Sequence, residues 1–154
     1  MEIALYKPKL QDLWFRQKML EDDETMSYNA LWGGAISFPK NEWEEWFDYW
    51  VINHENKRFY RYVKDGDTFI GEVAYHYNQT YDGCVVDVII YAKYRKQGYG
   101  KEALNLLIKT AKENGVKVLC DDIAINNPAI SLFLKLGFKE EYRTNEQIIL
   151  KKEL

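Results

Sequence analysis

The stretch that most limits how this chain can fold runs from an apolar, strand-like segment at residues 84–91 into a long amphipathic helical pattern beginning near Gly98. The joint between them, Tyr91-Ala92-Lys93-Tyr94-Arg95-Lys96-Gln97-Gly98-Tyr99-Gly100-Lys101, is basic and punctuated by glycine. A strand that passes through such a loop into a helix gathers backbone amides and positive charge at the helix start. That is a seat for a phosphate or pyrophosphate.

The rest of the chain bounds what surrounds that seat. Its 154 residues have room for one domain with a sizeable core and hardly for two. A net charge of -3 argues against broad nucleic-acid binding, which needs a basic surface. No apolar run approaches membrane-spanning length, and Met1-Glu2-Ile3-Ala4 lacks the charged-then-apolar layout of a signal peptide. Cys84 and Cys120, the only cysteines, lie in strand-like apolar runs and read as reduced, buried thiols. The expectation is a cytoplasmic protein with no membrane or nucleic-acid partner and no metal site. Trp14, Trp32, Trp43, Trp46 and Trp50 all fall in the first third of the chain. They suit either a helix face packed on a sheet or an aromatic-walled pocket.

Patterning predicts a short strand at residues 3–7, stopped by Pro8, then a helix over 11–20 with Leu13, Trp14, Gln17 and Leu20 at helix spacing. After a loop at 21–40, Asn41 is the expected N-cap of a helix whose face is Trp43, Trp46, Phe47 and Trp50. Strands follow at 59–64, 68–77 and 84–91, with turns at Asp65-Gly66-Asp67 and Asp82-Gly83. The helix over 98–114 carries Ala103, Leu104, Leu107, Ile108 and Ala111 as one stripe and ends at Gly115. A strand at 116–123, a helix opened by Asn127-Pro128 and closed by Gly137, and strands at 138–142 and 147–151 complete the chain. A helical pair, an antiparallel meander and one strand-helix-strand crossover imply a mixed α/β sheet.

Three phosphate loops compete for residues 95–104. A Walker A loop is excluded: one residue separates Gly98 from Gly100, and Glu102 rather than Ser or Thr follows Lys101. Gly98-x-Gly100-x-x-Ala103 fits a variant dinucleotide-binding fingerprint, with Asp121 or Asp122 at roughly the right interval. Against it, the preceding strand arrives after more than half the chain, and too few residues remain for a second mononucleotide unit. The third pattern is Arg95-x-x-Gly98-x-Gly100. It resembles the pyrophosphate signature of the GNAT-type, acetyl-CoA-dependent N-acetyltransferases. Further on, Asn126-Asn127-Pro128-Ala129-Ile130-Ser131-Leu132-Phe133-Leu134-Lys135-Leu136-Gly137-Phe138 resembles that family's second motif, Asn-x-x-Ala…Leu-Tyr-x-x-x-Gly-Phe. Two motifs in the right order and separation are more specific than either alone.

The resemblance implies a GNAT-like mixed, mostly antiparallel sheet with a splayed parallel strand pair (residues 84–91 and 116–123) and flanking helices. It implies acetyl-CoA as co-substrate. Arg95, Lys96, Gln97, Gly98, Tyr99, Gly100 and Lys101 would hold the pyrophosphate, and the backbone of Val88, Ile89 and Ile90 the pantetheine. The Ile90 amide would polarise the thioester carbonyl. Asn126 and Phe133 would line the thiol end. Ala92 stands where the family often has proline.

Acetyl transfer to an amine needs a neutral nucleophile. An alkylamine of pKa about 10.4 is neutral in roughly one molecule per 2,500 at pH 7, so a base has work to do. Asp121, five residues before Asn126, resembles the proton acceptor of the ribosomal-protein N-terminal acetyltransferase branch; a hydrogen-bonded strand-end carboxylate is the competing reading. Asp122 points to the opposite face of a regular strand. Glu72 and His76 share a face of the third strand and form a second acid-base pair, unless His76 is a packing residue. The family's general-acid tyrosine is replaced by Phe133. Another phenol (Tyr28, Tyr75, Tyr91 or Tyr94) would then substitute, or the thiolate, of pKa near 8.5, would leave unaided, or the protein would bind acetyl-CoA without efficient turnover.

The acidic segment Glu21-Asp22-Asp23-Glu24, followed by Tyr28 and Trp32, sits where the family builds its acceptor wall. Its charge would attract a cationic amine and its aromatics would clasp it; a solvated loop with core aromatics is the alternative. The expectation is an N-acetyltransferase acting on a primary amine by direct attack. Its rival is a non-catalytic acyl-CoA-binding sensor. Acceptor and acyl length are left open, as is oligomeric state, with a homodimer among the options.

Overall fold

Residues 58–90, rich in β-branched and aromatic side chains, form the centre of the molecule. In the computed structural model, which describes residues 1–154, β2 (Arg58–Asp65), β3 (Thr68–Asn78) and β4 (Gly83–Ile90) form an antiparallel meander. Gly66, at φ 58°, makes the first turn. β1 (Ile3–Tyr6) pairs with β2 at one edge. Beyond β4 lie β5 (Val118–Ala124), β7 (Gln147–Glu153) and β6 (Lys139–Arg143), so the seven-stranded order is β1-β2-β3-β4-β5-β7-β6. Every pairing is antiparallel except β4 with β5. That parallel pair meets only at Cys84↔Leu119 and Val85↔Cys120, then separates. Gly83 permits the close base of the fork, since a Cβ there would lie 3.0 Å from Val118 Cγ1.

The helices cover both faces. α3 (Tyr99–Glu113) buries Ala103, Leu104, Leu107 and Ala111 against Val63, Val73, Val86 and Leu119. α4 (Ile130–Lys135) adds Phe133 to the same core. On the opposite face, α1 (Leu13–Leu20) and α2 (Trp43–Phe47) pack Leu13, Phe15, Met19 and Trp43 onto Tyr60, Tyr62 and Ala74. At about 25 cal/mol per Å², burial of side chains this large dominates the favourable side of folding.

The expected elements are present, with local corrections. Asn41 is no N-cap: it lies inside a 3₁₀ turn, Lys40–Glu42, entered from Pro39. α2 is short and passes into a π turn, Asp48–Ile52, closed by a 2.6 Å bond from Asn53 N–H to the Asp48 carbonyl. Within the expected loop, Ser27–Trp32 is a 3₁₀ helix. The strand expected from Val116 begins at Val118; the Val116 N–H instead donates to the Ala111 carbonyl, closing the turn after α3 beside Gly115 at φ 84°. Pro128 lies in a turn before α4 rather than at its first position. Trp43, Trp46 and Trp50 pack on the sheet as a helix face, whereas Trp14 and Trp32 are exposed. No helix is long and apolar enough to cross a membrane.

Candidate active site

The fork between β4 and β5 opens a cavity of ≈ 580 Å³ that reaches from the start of α3 to the α1/α2 side of the sheet. At the α3 end, the backbone amides of residues 96–101 donate to no acceptor in the chain; the first bond of the helix runs from Glu102 N–H to the Gly98 carbonyl at 3.3 Å. Lys96 (φ 63°) and Gly98 (φ 87°) both adopt the left-handed conformation, which turns successive N–H groups toward one point. For a lysine that conformation is uncommon and costs free energy. Lys96, Gly98, Tyr99 and Gly100 line the cavity. Gln97 borders a separate shallow depression with Asp65 and Lys93, and Lys101 borders neither.

Arg95 lines the cavity too, but its guanidinium is engaged elsewhere. It donates to the Glu24 carbonyl (3.0 Å) and the Thr25 carbonyl, and sits 5.3 Å from the centre of the Tyr28 ring. Thr25 Oγ1 in turn accepts the Ala92 N–H at 3.0 Å. The acidic segment is thereby tied to the loop after β4, which places Tyr28 and Trp32 in the cavity wall.

Midway along the fork, Tyr91 N–H donates to the Ile70 carbonyl of β3 at 3.0 Å. Strand N–H groups alternate in direction, so those of Ile90 and Val88 point the other way, into the gap. A tight β3–β4 approach holds this end: a Cβ on Gly71 would lie 2.2 Å from the Ile89 carbonyl oxygen. Val88, Ile89 and Ile90 all line the cavity, as does Phe133, whose ring lies 4.9 Å from that of Phe138. Asn126 is exposed and outside the cavity; its neighbour Asn127 lines it and caps the turn by accepting the Ala129 N–H at 2.9 Å. Of the four phenols offered as replacement acids, Tyr28 and Tyr94 reach the cavity, and Tyr75 and Tyr91 do not.

Three carboxylates line the same space: Asp87, Asp121 and Asp122. Asp121 lies opposite Leu150 and between Leu119 and Ile123, on the α3 face; Asp122, opposite Ile149, lies on the other. The fork is open through its thickness, so both reach the cavity. Burial and the charges of Asp87 and Asp122 hold the Asp121 carboxyl well above the usual carboxylate range. Asp87 is accessible within the cavity yet enclosed by protein; burial, then Glu72, pushes it up to about 7, with Arg16 opposing and Asp122 adding to the rise. Tyr81 donates to Asp122 Oδ2 at 3.4 Å, and its phenol is pushed up to about 12 by burial and by that carboxylate. His76, set edge-on to Trp50 at 5.8 Å, has a sealed Nδ1 with no partner, and burial lowers its pKa.

Glu72 stands apart. Buried behind this wall, it accepts two bonds from Arg16 (2.8 and 3.1 Å) and one from the Tyr60 hydroxyl (2.7 Å), and it does not line the cavity. Asp87 had no part in the motif-based site. Its signal was a single charge inside the apolar run Val85-Val86-Asp87-Val88-Ile89-Ile90.

Comparison with known proteins agrees with this geometry. The acetyltransferase (GNAT) family matches residues 13–138. An N-alpha-acetyltransferase of Sulfurisphaera tokodaii is 40% identical over 60 residues, a match spanning 38% of this chain and only 36% of that relative. Spermidine N-acetyltransferase from Vibrio cholerae, solved with CoA and spermine, superposes with a TM-score of 0.82 at 20% identity, covering 99% of this chain and 95% of that one. The PaiA N-acetyltransferase from Thermoplasma acidophilum, solved with coenzyme A, gives a TM-score of 0.72 at 17% identity with both chains fully covered, 100% and 100%. At these identities the two structures share the fold. The match along residues 13–138, carried by a forked sheet with an open amide loop at the helix start, shows that the chain belongs to the acetyltransferase (GNAT) family.

Proposed function

We propose that this protein is a single-domain N-acetyltransferase that moves acetyl from acetyl-CoA to a primary amine by direct attack. The observation that carries the reading is the continuity of one cavity from the unpaired amides of residues 96–101, past the gap-facing Ile90 N–H, to an acidic acceptor wall. The pyrophosphate binds at Lys96, Gly98, Tyr99 and Gly100, where amides and the helix dipole converge. Gln97 and Lys101 contribute through their backbone amides. The pantetheine lies in the fork where β5 no longer pairs with Val88 and Ile90, and the Ile90 amide donates to the thioester oxygen as negative charge develops there. Cavity carboxylates, Asp121 among them, manage the amine's proton, and Tyr28 and Trp32 bound the acceptor. The acceptor is a small-molecule amine, an amino acid or a peptide N-terminus. Spermine in the Vibrio cholerae structure is a small-molecule amine, and the Sulfurisphaera tokodaii relative is named for N-alpha acetylation. Three cavity carboxylates, none of them in an ion pair, favour a cationic acceptor.

Phe133 supports a second reading, an acyl-CoA sensor without turnover, because a phenyl ring cannot donate a proton to the departing thiolate. Free-thiol release from acetyl-CoA with a mixed panel of amines and short peptides, alongside calorimetry of acetyl-CoA binding, separates the two. Binding with acceptor-dependent release establishes the transferase. Binding without release selects the sensor, and Phe133→Tyr then restores turnover if the missing phenol is the cause. Absence of binding refutes both.

A further inference from the structure

Asp87 lies opposite Ala74 in the β3–β4 register, and the flanking β3 residues on that face are Glu72 and His76. Ala74 and Ile89 pack in the apolar cluster beneath α1 and α2, so Asp87 leaves β4 on the acceptor side and opens into the cavity. It is three residues, about 10 Å of strand, from Ile90, whose N–H faces the gap. The groups facing it are Glu72 and His76 from β3, Asp121 and Asp122 from β5, and Arg16 from α1. The one cation among them is already committed to Glu72, and Asp87 forms no ion pair.

We propose that Asp87 is the proton acceptor of the reaction: its carboxylate takes the proton of the incoming ammonium on the acceptor side of the fork and releases a neutral amine to the thioester. The inference rests on the transferase reading above. The ammonium and the Asp87 carboxylate become an amine and a carboxylic acid. The amine nitrogen then bonds to the acetyl carbon, the carbon–sulfur bond breaks, and the proton shed by nitrogen on forming the amide ends on the CoA sulfur. Asp87 returns its own proton to water through the cavity before the next turnover.

The neighbouring carboxylates are less suited. Glu72 is closed off by Arg16 and Tyr60. Asp121 projects on the α3 face, away from the acceptor side, and burial with the charges of Asp87 and Asp122 holds its carboxyl well above the usual carboxylate range. Asp122 accepts from Tyr81. A base works best with a pKa near the operating pH, and the Asp87 value of about 7 meets that condition.

The test is acceptor-dependent thiol release against pH at saturating acetyl-CoA, for the unmodified protein, Asp87→Asn, Asp87→Glu and Asp121→Asn, with acetyl-CoA affinity measured on each. The unmodified protein should show kcat/KM rising with pH and bending near 7. Asp87→Asn should lose that bend and about 100-fold in rate with acetyl-CoA affinity unchanged, and Asp87→Glu should restore the bend. For an alkoxyamine, already neutral at pH 7, the defect of Asp87→Asn should shrink. A bend that survives in Asp87→Asn, that vanishes only in Asp121→Asn, or an Asn variant that no longer binds acetyl-CoA overturns the role of Asp87. No thiol release by the unmodified protein with any amine overturns the transferase reading itself.

Discussion

Glu72 and Asp87 are neighbours on the acceptor side of adjacent strands, and their surroundings give them opposite characters. Glu72 is 3% exposed and receives donors from Arg16 and Tyr60. Arg16 is itself stacked on Trp46, 4.2 Å from the ring centre. A buried carboxylate with three charge-assisted or phenolic bonds is a structural group, and removing its cation strands it. Arg16→Met should lower the unfolding free energy by about 3–5 kcal/mol, measured by urea denaturation, and adding Glu72→Gln should recover much of the loss. Recovery is the informative part, since a cost due only to lost packing around Trp46 would persist in the double variant. The expectation of Glu72 as an acid-base partner of His76 came from their shared strand face. The face was right, but α1 supplies an arginine that no local pattern announces.

At the scale of elements, the acceptor wall is held by the loop that leads into α3. Arg95 reaches back to the carbonyls of Glu24 and Thr25, and Thr25 caps the Ala92 N–H. Hydrogen bonds from a charged donor contribute about 1.5–3 kcal/mol each, enough to set the position of the 3₁₀ segment bearing Tyr28 and Trp32. Arg95→Ala should therefore raise KM for the amine by about tenfold and change KM for acetyl-CoA much less. A larger effect on acetyl-CoA would return Arg95 to the pyrophosphate, where its motif position alone puts it. The π turn after α2 belongs to the same scale. It carries Trp50, which meets both Trp46 and His76 and so backs the cavity-lining His76 from outside the cavity.

Across the whole molecule, charge is sorted along the cavity: free amides and Lys96 at one end, Asp87, Asp121 and Asp122 toward the other. A protein of net charge -3 with such a wall steers cations toward it. For a cationic amine, kcat/KM relative to a neutral acceptor should fall by about tenfold or more between 0.01 M and 1 M salt, as the screening length shrinks from about 30 Å to about 3 Å. Stopped-flow or initial-rate measurements with matched acceptors check this, and a flat ratio would mean that the carboxylates do not guide the acceptor.

The sequence by itself determined the element order, the α3 stripe and the glycine loop, because each depends on periodicity or on residues adjacent in the chain; the forked pair was legible only through the family resemblance of the two motifs. Residues 58–90 hold strand-forming side chains between turn residues, Gly98 and Gly100 mark the loop, and two motifs share one spacing whatever the packing. Element boundaries near Asn41, Val116 and Pro128 shifted because capping and pairing are decided by which backbone groups find partners. The tertiary structure alone decided which charged groups meet. Glu72 was closed by a helix from 56 residues away, Asp121 and Asp122 were brought to one cavity by a gap open to both faces, and Asp87 was turned from an oddity in an apolar strand into a carboxylate lining that cavity. Electrostatics depends on distances in space and on excluded water, and neither is written in local sequence.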